Sequence, residues 1–367
     1  MKKVLIHMGT GFIVVILAVV ILFGIIRLIR GQQLKIRTEN GIDKEYFVEI
    51  GGIEQKLQIR GENLNNPMVL FLHGGPGSPV SYVTSYMSKG LTDDYTFVHW
   101  DQRGCGETYY KNAQPQADID LLLSDLDELV DYLRNTYHQE KIVIMGHSWG
   151  TVLGTRYVKE HSEKVAYYIG LGQVIDINRG EAAAAKEAIK RAEEAGNREH
   201  ITQIEALTEE YVNRASYQDI NWEHFDKMRS LTGKYLAPKE GMGFPKMAWI
   251  ALTDPAMNFK QARWYFISMD NEKLSEKERK LREYLFQEFS LEKLGYDYQV
   301  PMYFIAGDAD WLTPYPLVQD YFEKVNAPQK QLFMIPGAGH ATYMDRQETF
   351  AQAMESIRKI EQNSTEK

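Results

Sequence analysis

Three short stretches of this chain carry side chains that could do covalent chemistry together. The first is Gly146-His147-Ser148-Trp149-Gly150, which follows the apolar run 141–145. A serine hydroxyl is a weak nucleophile unless a base takes its proton. The Gly-x-Ser-x-Gly pattern supplies the geometry. The chain leaves a buried strand, turns sharply at the serine and enters a helix, and the flanking glycines leave room for the turn. Residues 151–159 continue as a helix that can pack closely on a sheet through Gly150 and Gly154. The second stretch, Gly307-Asp308-Ala309-Asp310-Trp311-Leu312-Thr313-Pro314, follows the apolar run 300–306. Its two carboxylates compete for one role, the orientation of an imidazole. The spacing Gly-x-x-Asp-x-x-x-Pro selects Asp310, with Asp308 as the rival and more suited to shaping the turn. The third stretch, Pro336-Gly337-Ala338-Gly339-His340, follows the run 331–335 and offers His340 as the base. Ser148, Asp310 and His340 are thus the expected catalytic triad.

Acyl transfer also needs backbone N–H groups aimed at the developing oxyanion. One should be that of Trp149, directly after the serine. The other should come from His73-Gly74-Gly75-Pro76-Gly77, after the apolar run 68–72, with Gly75 as the expected donor and Gly74 in reserve. Proline has no N–H to give. His147 sits inside the elbow and reads as structural, while His161, His200 and His224 are isolated. No His/Asp/Cys cluster has metal-ligand spacing, so neither metal nor cofactor is expected.

These residues need a frame. Segments 46–50 and 54–60 flank Gly51-Gly52 and read as an antiparallel pair entering a sheet. Buried strands are expected at 68–72, 96–100, 141–145, 165–169, 300–306 and 331–335, with an amphipathic helix at 118–136 and a closing helix at 342–362 before a polar tail. Alternation of this kind means an α/β fold with a mostly parallel central sheet. Residues 175–295 break the alternation, being helical and rich in aromatics, and are too long for a crossover loop. They are expected to form a helical cap inserted over the carboxyl edge of the sheet. The domain reading is an anchor at 1–30, a linker at 31–44, a core at 45–174, the cap at 175–295 and the rest of the core at 296–367.

The set His73–Gly77, Asp101-Gln102-Arg103-Gly104-Cys105-Gly106 and Gly146–Gly150, with the contexts of Asp310 and His340, resembles the proline iminopeptidase (prolyl aminopeptidase) family of α/β-hydrolases over about residues 45–360. The resemblance implies an α/β-hydrolase fold and release of N-terminal residues, proline or other small or apolar ones, from short peptides. It also implies cap carboxylates that bind the substrate's free α-amino group. The chain departs from the family there. Its nearest match to the acidic cap segment is Ala262-Arg263-Trp264-Tyr265-Phe266, which has no glutamate, and Trp222-Glu223 matches a second carboxylate only loosely. Gly74, Glu223, Trp264 and Tyr265 are the candidate substrate contacts. A carboxylesterase or amidase acting on small acyl substrates through the same triad is the alternative. Asp101 and Arg103 are expected to pair with each other or with nearby loops, and Cys105 to pack.

The chain has 367 residues and a formal net charge of -8, which gives no sign of a nucleic-acid partner. Its single cysteine excludes an intramolecular disulfide framework. Residues 4–26 are uncharged apart from His7 and almost wholly aliphatic. About 20 such residues can cross a bilayer as a helix. The run ends at Arg27 and Arg30 without a small-residue cleavage site, so an uncleaved single-pass membrane anchor is expected rather than a signal peptide. Arg27, Arg30, Lys35 and Arg37 outnumber Lys2 and Lys3, which by the positive-inside rule tips the catalytic domain toward the cytoplasm and leaves its side open.

Overall fold

The computed structural model describes residues 2–112 and 117–365. Among them, eight strands form one sheet: β1 (Ile42–Ile50), β2 (Ile53–Gly61), β3 (Met68–Leu72), β4 (Thr96–Asp101), β5 (Ile142–His147), β6 (Val165–Leu171), β7 (Met302–Gly307) and β8 (Lys330–Ile335). Their spatial order is β1-β2-β4-β3-β5-β6-β7-β8. β1 pairs antiparallel with β2, and β2 with β4. From β4 through β3 to β8 every pairing is parallel.

Parallel strands are covered on both faces, and the residue alternation shows how. In β3, Met68, Leu70 and Leu72 enter one apolar cluster while Val69 and Phe71 enter the other. In β5, Ile142 and Ile144 divide from Val143 and Met145 in the same way. The helix Ile119–Tyr137 covers the first face, its N-terminus capped by Asp118, which accepts from the Leu121 N–H at 3.0 Å. It buries Leu122, Leu126, Leu129, Val130 and Leu133, a stripe at helical spacing. The helix Gln347–Thr365 covers the second face with Phe350, Met354 and Ile357, and runs through part of the stretch expected to be a polar tail.

Between β6 and β7 the described residues are helical. The longer helices are Ile177–Glu194, Arg198–Val212, Trp222–Leu236, Phe244–Thr253 and Phe259–Ser268, followed by the shorter Asn271–Lys277 and Arg279–Glu283. At the N-terminus one helix runs from Lys2 to Gln33, and its described span Ile13–Gln33 has mean hydropathy 2.8, with none of its apolar window buried. The segment read as a linker is therefore shorter: the helix continues to Gln33 and β1 begins at Ile42.

Arg103 does not pair with Asp101. It forks onto Asp125 of the Ile119–Tyr137 helix, at 2.7 Å and 2.8 Å, and gives another N–H to the Gly51 carbonyl at 2.7 Å. Asp125 also accepts from Gln55, which in turn accepts from Trp100 Nε1. This network ties the β1–β2 turn to the helix through fully desolvated charges. Removing one partner of a buried ion pair costs about 3–5 kcal/mol, because the other charge stays buried. Asp125→Ala should destabilise the chain by about that amount in urea unfolding in detergent, and a loss of under about 1 kcal/mol would contradict this assignment.

Candidate active site

β5 ends at His147 and the next helix begins at Trp149, so Ser148 alone makes the turn. Its φ of 52° and ψ of -118° lie where side chains are strained. Such a conformation costs about 1–3 kcal/mol and persists only when the surroundings enforce it. Here the Ser148 N–H donates to the Leu171 carbonyl at 3.0 Å, and the Ser148 carbonyl accepts from the Thr151 N–H at 2.8 Å. Both pentad glycines are sterically required. A Cβ on Gly146 would stand 2.5 Å from the Gly150 carbonyl oxygen, and one on Gly150 would stand 1.9 Å from that of Leu72.

Past the end of β7, Asp310 is buried and receives the N–H groups of Leu312 and Thr313 on Oδ1, each at 3.0 Å. Its Oδ2 accepts from Thr313 Oγ1 at 2.7 Å and from His340 Nδ1 at 2.9 Å. Burial alone would raise the pKa of this carboxyl, but the imidazole and the Thr313 donors outweigh it and hold Asp310 below the ordinary carboxylate range. An ionised Asp310 fixes the proton on Nδ1 and leaves Nε2 free to act as a base. Asp308 is engaged elsewhere and accepts from the Gly337 N–H at 2.7 Å. His147 lies against His340, with ring centroids 4.8 Å apart, and its Nε2 meets the His340 carbonyl at 3.2 Å. Burial and the neighbouring His340 pull the His147 pKa down to about 3, so it stays neutral and supports the loop.

The loop after β3 lies beside the elbow. A Cβ on Gly74 would come within 3.3 Å of Ser148 Cβ. His73 anchors this loop: its Nδ1 meets the Gly74 carbonyl at 2.8 Å, which makes Nδ1 the donor and leaves Nε2 to accept from the Gln102 N–H at 3.5 Å, next to Cys105 Sγ, whose own proton goes to the Gln102 carbonyl. Burial lowers the His73 pKa to about 4, while burial and then the nearby Glu278 push the Cys105 thiol well up, so both stay neutral and structural. Trp149 opens a helix, where backbone N–H groups lack intrahelical acceptors and can face an oxyanion.

The cap residues divide. Trp264 is buried and donates from Nε1 to the Gly77 carbonyl at 2.8 Å, so it holds the loop 73–77 from above. Tyr265 is half-buried and packs edge-on against Tyr82, with ring centroids 5.8 Å apart. Glu223 does not join the group. It is exposed in the first turn of the Trp222–Leu236 helix, where a carboxylate complements the helix dipole.

Sequence reading missed Glu278. It is 1% exposed, and neither carboxylate oxygen has a hydrogen-bond partner among the described residues. It adjoins the loop after β3: a Cβ on Gly77 would stand 3.0 Å from Glu278 Cγ and 3.4 Å from its Oε1. Burial pushes its pKa up to about 8, against a partial pull from Arg282 and Lys277. A separate cavity of about 260 Å³ lies beside His340, lined by Ala184, Thr232, Leu236 and Trp311. The ion pair of Glu181 with Arg229 also lines it.

An Asp310→Asn change keeps Oδ1 as an acceptor but presents an amide N–H to Nδ1, which moves the imidazole proton to Nε2. Hydrolysis should fall by about 10⁴-fold in kcat with the fold retained. A loss of less than about tenfold in a stopped-time assay would contradict a role for Asp310 in orienting His340.

Residues 67–347 match the family described as alpha/beta hydrolase fold. Among curated proteins, the probable aminopeptidase YbaC of Bacillus subtilis (strain 168) is 26% identical over 84% of this chain and 93% of its own length. A proline iminopeptidase of Heyndrickxia coagulans is 30% identical over 47% of this chain and 63% of its own. Among solved structures, the proline iminopeptidase-related protein of Thermus thermophilus aligns with a TM-score of 0.56 at 18% identity, over 86% of this chain and 96% of its own, a likeness of fold. With its parallel sheet, its strand–serine–helix turn and a matched span of this length, the chain belongs to the α/β-hydrolase fold family, and its relatives include proteins named as aminopeptidases.

Proposed function

We propose that this chain is a membrane-tethered serine hydrolase that releases N-terminal residues from short peptides. The observation that carries the reading is Glu278, a buried carboxyl with no hydrogen-bond partner among the described residues, beside the loop that adjoins Ser148. A carboxyl left in that state is costly unless something compensates it. An α-ammonium group supplies the missing charge and the missing donors. The names of the relatives agree with this class of substrate.

In the proposed reaction His340 takes the Ser148 proton as Oγ attacks the carbonyl carbon of the first peptide bond. The tetrahedral oxyanion is held by the N–H groups of Trp149 and Gly75. His340 then gives its proton to the departing amine, which leaves an aminoacyl ester on Ser148. Water, activated by His340, attacks this ester and frees the amino acid and the serine. Glu278 holds the α-amino end throughout, and the helical cap limits entry to short chains. The apolar N-terminal helix, Ile13–Gln33 in its described span, serves as the tether.

The test compares aminoacyl arylamides of proline, alanine and leucine with their acetyl-blocked forms and with short acyl esters, on the full chain in detergent. The free-amine substrates should be preferred, and Glu278→Gln should reduce that preference by about 10- to 100-fold, mainly through KM. Faster turnover of blocked amides or esters would instead favour the carboxylesterase or amidase reading. The pH profile supplies a second expectation. The unliganded Glu278 carboxyl is protonated below about pH 8, so an incoming ammonium must expel that proton. The kcat/KM for free-amine substrates should therefore rise toward pH 8. Glu278→Gln and blocked substrates should lack that limb, and an identical profile for all of them would count against the role of Glu278.

A further inference from the structure

The cap carries large apolar side chains that are half or more exposed. On the helix Phe244–Thr253, Phe244 is 69% exposed and Trp249 and Leu252 are each 50% exposed. On the helix Phe259–Ser268 and just past it, Phe259, Phe266 and Met269 are 82%, 72% and 67% exposed. Single exposed apolar residues are ordinary, but six of this size between 244 and 269 point to an interaction surface. Its charges are one-sided. The exposed charged residues between 243 and 269 are Lys246, Lys260 and Arg263, in a chain whose net charge is -8. The acidic residue of that stretch, Asp254, is buried and bonded to Ser85 and the Ala256 N–H.

The helix Phe244–Thr253 and the turn that leads from it to Phe259 lie against the apolar N-terminal helix. Phe23, Ile26, Arg27 and Arg30 are half-buried and share one helical face. Phe23 packs on Trp249 with ring centroids 5.9 Å apart. Arg27 donates to the carbonyls of Pro255 and Met257, and Arg30 to Thr253 Oγ1. A helix that spans a bilayer through its apolar run, with its first arginine at Arg27, puts Phe23 near the boundary of the hydrocarbon. Trp249, in contact with Phe23, is then at the same depth, which is where tryptophan is favoured. Aromatic and aliphatic side chains interleaved with lysine and arginine are the composition of helices that lie in a lipid interface.

We propose that the cap face formed by the helices Phe244–Thr253 and Phe259–Ser268 docks on the surface of an anionic lipid leaflet. The catalytic domain is then held to the bilayer at two places, by the N-terminal helix and by the cap. The inference rests on the reading of that helix as a membrane tether and is independent of the peptidase reading. It has a consequence for the site. The helix Phe259–Ser268 turns Phe259 and Phe266 outward while Gln261 bonds Ser81 and Trp264 bonds the Gly77 carbonyl. The lipid-facing helix is thus the one that holds the loop next to Ser148.

The test uses the full chain in vesicles of phosphatidylcholine with phosphatidylglycerol. Phe259→Cys, Phe266→Cys and, as a control on an exposed cap position, Lys190→Cys are labelled with an environment-sensitive fluorophore. Cys105 is buried and sets the labelling background of the parent chain. Quenching by lipids spin-labelled near the headgroup should be at least about twofold stronger at 259 and 266 than at 190, and should weaken in vesicles lacking the anionic lipid. Extraction with alkaline carbonate separates the possible failures. A chain that washes out overturns the tether and the docking together. A chain that is retained, with 259 and 266 quenched no more than 190, overturns the docking alone. Self-quenching between labels at 259 that grows with protein density, without lipid quenching, would assign the face to a second copy of the chain and also overturn the proposal.

Discussion

One close approach governs the catalytic edge of this molecule: the backbone of Gly150 against the Leu72 carbonyl, where a Cβ would stand 1.9 Å from the oxygen. This contact presses the start of the Trp149–Glu160 helix onto the end of β3. β3 and β5 are hydrogen-bonded neighbours, so the elbow at Ser148 and the loop 73–77 emerge side by side. The positive φ of Ser148 follows from fitting a strand and a helix into a turn of one residue. Strain at the serine is thus a consequence of packing that the sheet imposes, offset by the hydrogen bonds at its N–H and carbonyl.

From that edge, neutral buried groups spread the order outward. His73 clamps the loop 73–77 to the loop at Cys105, and His147 braces the carbonyl of His340. Burial keeps both imidazoles uncharged, so neither competes with His340 for the Asp310 carboxylate. Charges buried for structural reasons are instead paired, as in Arg103 with Asp125. Glu278 departs from this rule among the described residues near the site, since it is buried with neither oxygen bonded. Each such group in a native protein calls for a physical explanation, and completion by a substrate ammonium is the one that the proposed function gives to Glu278.

Much of the frame was legible in the sequence because each strand is a short apolar run with a turn signal behind it. Met68–Leu72 was readable to the residue, and the ends of the other strands to within a few residues. Ser148, Asp310 and His340 stood out because each follows such a run at a telling spacing, and the structure sets Asp310 and His340 2.9 Å apart. Glu278 did not stand out. It lies in a run of lysines, arginines and glutamates that reads as a solvated helix, and periodicity cannot say which charge of such a run turns inward. Glu223 drew attention through its neighbour Trp222, yet it is exposed while Trp222 belongs to the cap core. The bond from Trp264 to Gly77 joins positions 187 apart, and the partnership of Arg103 with Asp125 depends on where a helix crosses the sheet. Such pairings come from tertiary geometry, which local pattern does not carry. The packing of Phe23 and Arg27 on the cap is of the same kind.

In the proposed mechanism Ser148 forms an ester with the amino acid it releases. Rapid-quench mass spectrometry of the full chain with an activated alanyl ester, followed by peptide mapping, tests this most directly. We expect an increase equal to one alanyl group on the peptide that contains Ser148, lost again on the timescale of turnover. Turnover with no covalent adduct, or an adduct confined to another side chain such as Cys105, would contradict it.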